Sequence, residues 1–232
     1  MPATVRTLSE LGQQRSWWLS RFANGFKPPY LPSVSERAFR FHMAFTLLYA
    51  FFEGVIANAP LMAVKSLDAT DVQLQLPLAM ASAGIFGAVL LGSVMARRRK
   101  KPFVVVPGFA GAAATLAMSS LHQAGPFLFL AGVVSICDFA MRPAIPSIVR
   151  IVYPDHCRSQ VAGIMRQYAS IVFVGASLAS AALLSSATYF TIRRTIEVEI
   201  TLAAIACAAA CASFMQLPDR GDGSAAEAAR SF

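Results

Sequence analysis

The sequence predicts an all-α, polytopic membrane protein with six transmembrane helices, on three observations. The 232 residues are 56% hydrophobic and only 14% charged, and the mean hydropathy of +0.56 lies on the apolar side of soluble domains. The apolar residues come in long blocks, several reaching the roughly 20 residues a helix needs to cross the hydrocarbon core. Within the blocks, runs such as VVVPGFAGAAATLAMSSL and ITLAAIACAAACASFM lack the two-residue alternation of a barrel strand.

Residues 1–40 read as a basic arm at the membrane surface. They carry six bases, Arg6, Arg15, Arg21, Lys27, Arg37 and Arg40, and no short apolar core followed by a small-residue cleavage site. No cleavable signal peptide is therefore expected, and the first span serves as its own signal. Trp17, Trp18 and Tyr30 suit the lipid interface, where amphipathic rings collect; a protein-docking arm fits the same residues. A transmembrane domain over 41–217 follows, with spans expected near 41–64, 72–95, 102–121, 125–149, 160–185 and 198–216. Gly84, Gly87, Ala88, Gly92, Gly108, Gly111, Gly175 and Ala179 read as packing faces, because small residues let helix backbones approach closely. Residues 218–232 read as a polar, flexible tail.

The basic residues sort by position. Counting the arm, RRRKK (Arg97 to Lys101), Arg150, Arg158, Arg220 and Arg230 on one side, and Lys65, Arg193 and Arg194 on the other, gives fifteen against three. Both termini are thus expected in the cytoplasm, with the protein in the plasma (inner) membrane. The net charge of +8 does not argue for nucleic acid, since the bases sit at span edges rather than on one aromatic-interleaved stripe. Cys137, Cys157, Cys207 and Cys211 lack zinc or disulfide-framework spacing and read as small packing residues. Cys207 and Cys211 share a helix face that could hold a soft metal, but without His or acidic companions. His42, His122 and His156 lack ligand spacing, and no triad or phosphate-cradling loop occurs. No enzyme, metal or cofactor is expected.

From Pro102 to Cys137 there is no Asp, Glu, Lys or Arg; then CDFAMRPAIPSIVR sets Asp138 and Arg142 one helical turn apart. An ionisable group at mid-membrane costs about 2.5–3.5 kcal/mol on insertion scales, so it faces protein or water and marks function. Placed i and i+4, the two can pair and make each other tolerable. Glu53 and Arg166 are the other candidates. At a rise of about 1.5 Å per residue, Glu53 and Asp138 lie roughly 20 Å and 18 Å from the basic ends of their spans, and Arg142 and Arg166 about 12 Å. Two acids thus share one layer and two bases the next.

Two motifs carry a family resemblance. GSVMARRRKK offers Gly92, Arg97, Lys100 and Lys101 at positions of a loop pattern after the second span, with Ala96 where an Asp and Arg99 where a Gly is usual. PAIPSIVRIVYPDHCRSQVAG offers Tyr153, Pro154, Arg158 and Gly163 at a span four to five junction. With the six-span layout, residues 40–217 resemble the N-terminal six-helix half of a major facilitator superfamily transporter. The Arg which that family often carries early in span four is replaced by LAGVV, and its role is not carried over. The resemblance implies half of a cavity wall, completed by a second copy in a homodimer or by a second membrane subunit, with substrate bound between the halves. It also implies that spans one and four line the cavity, so that Glu53 lies beside the Asp138 and Arg142 face. The transport reading is then a small solute, anionic if Arg142 and Arg166 grip it, with Glu53 or Asp138 taking a proton in exchange. Two alternatives stand beside it: a structural ion cluster that fixes the helices, and a non-transporting subunit or assembly factor of a larger membrane complex.

Overall fold

The structure is a computed structural model and describes residues 33–95, 98–188 and 191–217. The described residues form eight helices and no strand. The first span is α1 (Ser33–Ile56) continued by α2 (Ala59–Leu67), the second α3 (Asp71–Met95) and the third α4 (Pro102–Met118). The fourth is α5 (Ala124–Met141) continued by α6 (Ala144–Val152), the fifth α7 (Asp155–Ser186) and the sixth α8 (Ile192–Met215). Five of the six are long and apolar enough to cross a bilayer. The remaining one, the third span α4, has 17 residues, or about 26 Å against a core of about 30 Å. The described residues are thus all-helical, with the long apolar helices of an integral membrane protein.

The first and fourth spans are built alike. Each is interrupted by a two-residue turn, at residues 57–58 and 142–143, and each resumes as a nine-residue helix. Proline explains both breaks: Pro60 lies at the start of α2 and Pro143 caps α6, and a residue without an N–H cannot continue the helical ladder. Glu53 stands six residues before Ala59, as Asp138 stands six before Ala144. The first break is closed by Asn58, whose amide donates to Ser177 O at 3.0 Å on α7 and, more weakly, to Gly54 O at 3.4 Å.

Packing arranges the spans in two layers. α1 lies along α7 and α8, α5 along α3 and α4, and α4 along α8. Exchanging the first three spans for the last three leaves this pattern unchanged. The front layer runs α3, α5/α6, α1/α2, α7, with α4 and α8 behind it. The core lies between the layers, where Phe127, Leu128, Met118 and Phe214 are fully buried. Of the residues read as packing faces, Gly84 meets Phe139 and Ile136, and Gly108 lies under Cys211, whereas Gly87, Gly92 and Gly175 face open space. The cysteines are free, and Cys207 Sγ lies 3.4 Å from Gly108 O.

Cations close the helix ends. Lys101 Nζ donates to Met215 O at 3.1 Å and Lys65 Nζ to Leu184 O at 3.0 Å, satisfying C-terminal carbonyls that the helix leaves unpaired, and Arg193 donates to Leu121 O at 3.0 Å in the connection after α4. These bonds also hold alternate connections at opposite ends of the bundle. Two boundaries differ from expectation. α1 begins at Ser33, inside the stretch read as the arm, and Arg193 and Arg194 lie in the first turn of α8 rather than in a loop.

A Cβ on Gly54 would stand 2.6 Å from Phe173 O and 2.9 Å from the Cβ of Ala176. Gly54→Ala is therefore expected to destabilise the α1/α7 contact by about 1–3 kcal/mol, the range for overpacking. Gly87→Ala, with nothing within 4 Å, should leave stability unchanged; thermal unfolding of the two variants in one detergent checks the contrast.

Candidate functional site: a charged cavity between the first, fourth and fifth spans

The front layer forms an open cavity of about 790 Å³, lined by α1, α5/α6 and α7. Glu53, Asp138, Arg142 and Arg166 all line it, as do Arg150, Asp155, Arg158 and Gly163. Four arginines against three carboxylates leave one excess positive charge on its wall.

The break in the fourth span positions the central group. Arg142 is the residue that caps the C-terminus of α5, and its guanidinium grips Asp138 one turn earlier through Nε at 2.9 Å and a terminal nitrogen at 2.6 Å. Both bonds fall on one carboxylate oxygen, Oδ2. The other oxygen accepts the Tyr49 hydroxyl of α1 at 2.8 Å, and Glu53 Oε1 stands 3.9 Å from Arg142. Phe139 supplies the remaining face: its ring centroid lies 4.4 Å from the guanidinium carbon, within cation–π range. Two carboxylates from two spans thus share one guanidinium, and this triad has one more negative charge than Arg142 can neutralise. One proton more or less decides its net charge.

Arg166 is in the same cavity but not in the triad. It lies exposed on α7, and among the described residues its guanidinium has no hydrogen bond and no ion pair. The sequence reading of two acids and two bases as one neutral cluster therefore divides: three residues meet, and the fourth stands free on the facing wall.

The motif residues fall in three places. Tyr153 is buried at 2% exposure, stacks on His42 at 5.9 Å between centroids and shares a hydrogen bond of 3.2 Å with His42 Nδ1. Burial pushes its phenol above the ordinary range, with Cys157 adding to the effect. Pro154 caps α7, its carbonyl accepting from the backbone of Cys157 and Arg158. Arg158 pairs with Asp155 at 2.5 Å and donates to Arg150 O at 2.9 Å, so it pins α6 to α7 at the cavity mouth. Gly163 has no atom within 4 Å of where a Cβ would stand; its bare backbone keeps the cavity open. Of the loop motif, Lys101 caps α8, Lys100 lies in the same connection, and Gly92 lines a shallow recess with Phe139, Arg142 and Pro143. Arg97 lies outside the described residues.

Sequence reasoning missed two residues of the site, Tyr49 and His42, and one buried acid away from it, Glu199. Tyr49 and His42 looked like ordinary members of an apolar or boundary stretch, and nothing in their spacing singles them out. Glu199 on α8 is 7% exposed, accepts the Ser180 hydroxyl at 2.7 Å through Oε2 and leaves Oε1 without a partner. Its place beside Glu197 in a mixed-charge stretch gives it the look of a helix end. Among the described residues no three His, Cys, Asp or Glu side chains converge as a metal site.

A scan against protein-family models finds no match, and a search of curated proteins finds none either.

Removing Asp138 leaves Arg142 without its closest partner inside the bilayer. Asp138→Asn should destabilise more than the double variant Asp138→Asn with Arg142→Gln, with a coupling on the order of 1–3 kcal/mol. Additive effects in a double-mutant cycle of thermal or denaturant stability would remove the triad's structural role.

Proposed function

We propose that the protein is a half-transporter related to the N-terminal half of major facilitator superfamily transporters, moving a small anionic solute with a proton. The observation that carries this reading is the free guanidinium of Arg166 opposite an ion triad that holds one acid too many. A cluster serving structure alone gains by pairing every charge, since an unpaired ion at membrane depth costs several kcal/mol. Here one cation is left for an anion, and one carboxylate more than Arg142 can neutralise is left for a proton.

The same cost argues for a second half. The side chain of Arg142 is 56% exposed, and it opens on the front face together with Arg166. A second six-helix body, a copy of this chain or another membrane subunit, would cover that face and enclose the solute. The front helices α3 and α7, which carry large exposed apolar side chains such as Phe86 and Leu178, would flank it. The basic end, at Lys101 and Arg150, would face the cytoplasm of a plasma (inner) membrane.

Proteoliposomes loaded with a pH-sensitive dye test the reading. A panel of anions added outside should drive proton movement through the wild type, and Glu53→Gln should abolish it while leaving folding intact. Gly163→Trp should abolish it too by filling the cavity, without loss of thermal stability, because a Cβ at this position meets nothing within 4 Å and the side chain starts from the cavity wall. Proton movement by none of the anions, or by all variants alike, would contradict transport and favour the non-transporting subunit.

A further inference from the structure

We infer that the solute is an amphipathic organic monoanion, a single carboxylate on a cyclic hydrocarbon or aromatic body, and not an inorganic oxyanion. This inference rests on the transport reading and concerns the chemistry of the same cavity. Three observations lead to it.

The first is how the charge is spent. Arg142 is occupied by Asp138 and Glu53, and Arg158 by Asp155 and two main-chain carbonyls. Among the described residues the guanidiniums of Arg150 and Arg166 alone among the four are unpaired. Arg150 lies two residues from the outer end of α6, whereas Arg166 lies eleven residues into α7, roughly 16 Å deep at about 1.5 Å per residue. Nine residues of helix, about 13 Å, separate the two in depth. A single free cation at depth matches a single negative charge, and Arg150 at the mouth attracts the anion inward.

The second is the supply of donors. Phosphate and sulfate sites are built from several convergent donors, commonly backbone N–H groups at helix N-termini or in loops. This cavity is walled mainly by helix interiors, where those N–H groups are already bonded along the helix. Tyr49 is engaged by Asp138, so that beyond the arginines the side-chain donors are His42, already paired at Nδ1 with Tyr153, and hydroxyls such as Thr46 and Ser159. A carboxylate is satisfied by one bidentate guanidinium; a tetrahedral dianion is not.

The third is the wall. Phe45, Ile145, Val149, Met165 and Ala169 surround the charged groups, and the volume of about 790 Å³ is that of a pocket for an organic molecule rather than a bare ion. An apolar body displaces water from those side chains, which an inorganic ion cannot do.

The full chain in nanodiscs, titrated with benzoate, cyclohexanecarboxylate, benzamide, phosphate and sulfate and followed by thermal shift, tests this. Both carboxylates should stabilise saturably, and benzamide, phosphate and sulfate should not. Arg166→Ala should weaken carboxylate binding at least tenfold, Arg166→Lys should retain part of it, and Gly163→Leu should weaken it by occupying the wall. Saturable, Arg166-dependent binding of phosphate or sulfate would overturn the organic assignment and leave anion transport standing. Carboxylate binding undiminished in Arg166→Ala would overturn the assigned site. No binding by any of the five, with proton movement still driven by another solute in the dye-loaded vesicles, would overturn the solute class alone; no binding and no proton movement would overturn the transport reading with it.

Discussion

The grip of Arg142 on Asp138, with Glu53 and Tyr49 reaching it from the first span, is the interaction on which the rest of the cavity depends. It joins the two spans that Pro60 and Pro143 break, and it sits at the turn where the fourth span loses its regular ladder. A helix broken in the hydrocarbon region leaves main-chain groups that lipid cannot satisfy. Such breaks persist where protein or a water-lined cavity covers them, and here both lie in spans that line the cavity. The ion triad and the breaks therefore belong to one arrangement: the charge needs a polar surround, and the irregular backbone needs the same.

The exchange symmetry of the packing gives that arrangement its form. The first and fourth spans occupy equivalent places, each an acid, a two-residue break and a nine-residue helix, and each flanked by two spans of the opposite set. Their acids consequently meet near the centre. The fifth span brings Arg166 to the facing wall, and Gly163 beside it leaves the space a solute would occupy. The outer side of the bundle is held differently, by Asn58 on Ser177 and Ser180 on Glu199, without an ion pair between those groups.

Six apolar blocks, their depth-matched charges and the i, i+4 pair of Asp138 and Arg142 are legible in the sequence because hydropathy, helical rise and residue spacing are properties of one chain segment at a time. The helix breaks are only half legible: the prolines can be seen, but a proline in the first turn of a new helix and one inside a continuous helix look alike until the packing is known. Arg166 shows the limit most clearly. Its depth follows from counting, and its failure to join the triad follows from the direction in which α7 presents it, which spacing within α7 does not determine. Tyr49, His42 and Glu199 were silent for the same reason, since each matters through a partner 19 to 111 residues away.

The central claim is that the front face of the first, fourth and fifth spans meets water or solute rather than lipid. In a variant with its four native cysteines replaced by alanine, single cysteines at Ser159 and Ala162 on the cavity wall can be compared with one at Val106, 66% exposed on the rear helix α4. Labelling of intact vesicles, in both orientations, with a water-soluble, membrane-impermeant maleimide reads the contrast directly. Labelling should be rapid at residues 159 and 162 from one side of the membrane and absent at 106. Equal protection of all three positions would mean that the charged face lies against lipid or sealed protein, and would contradict the account.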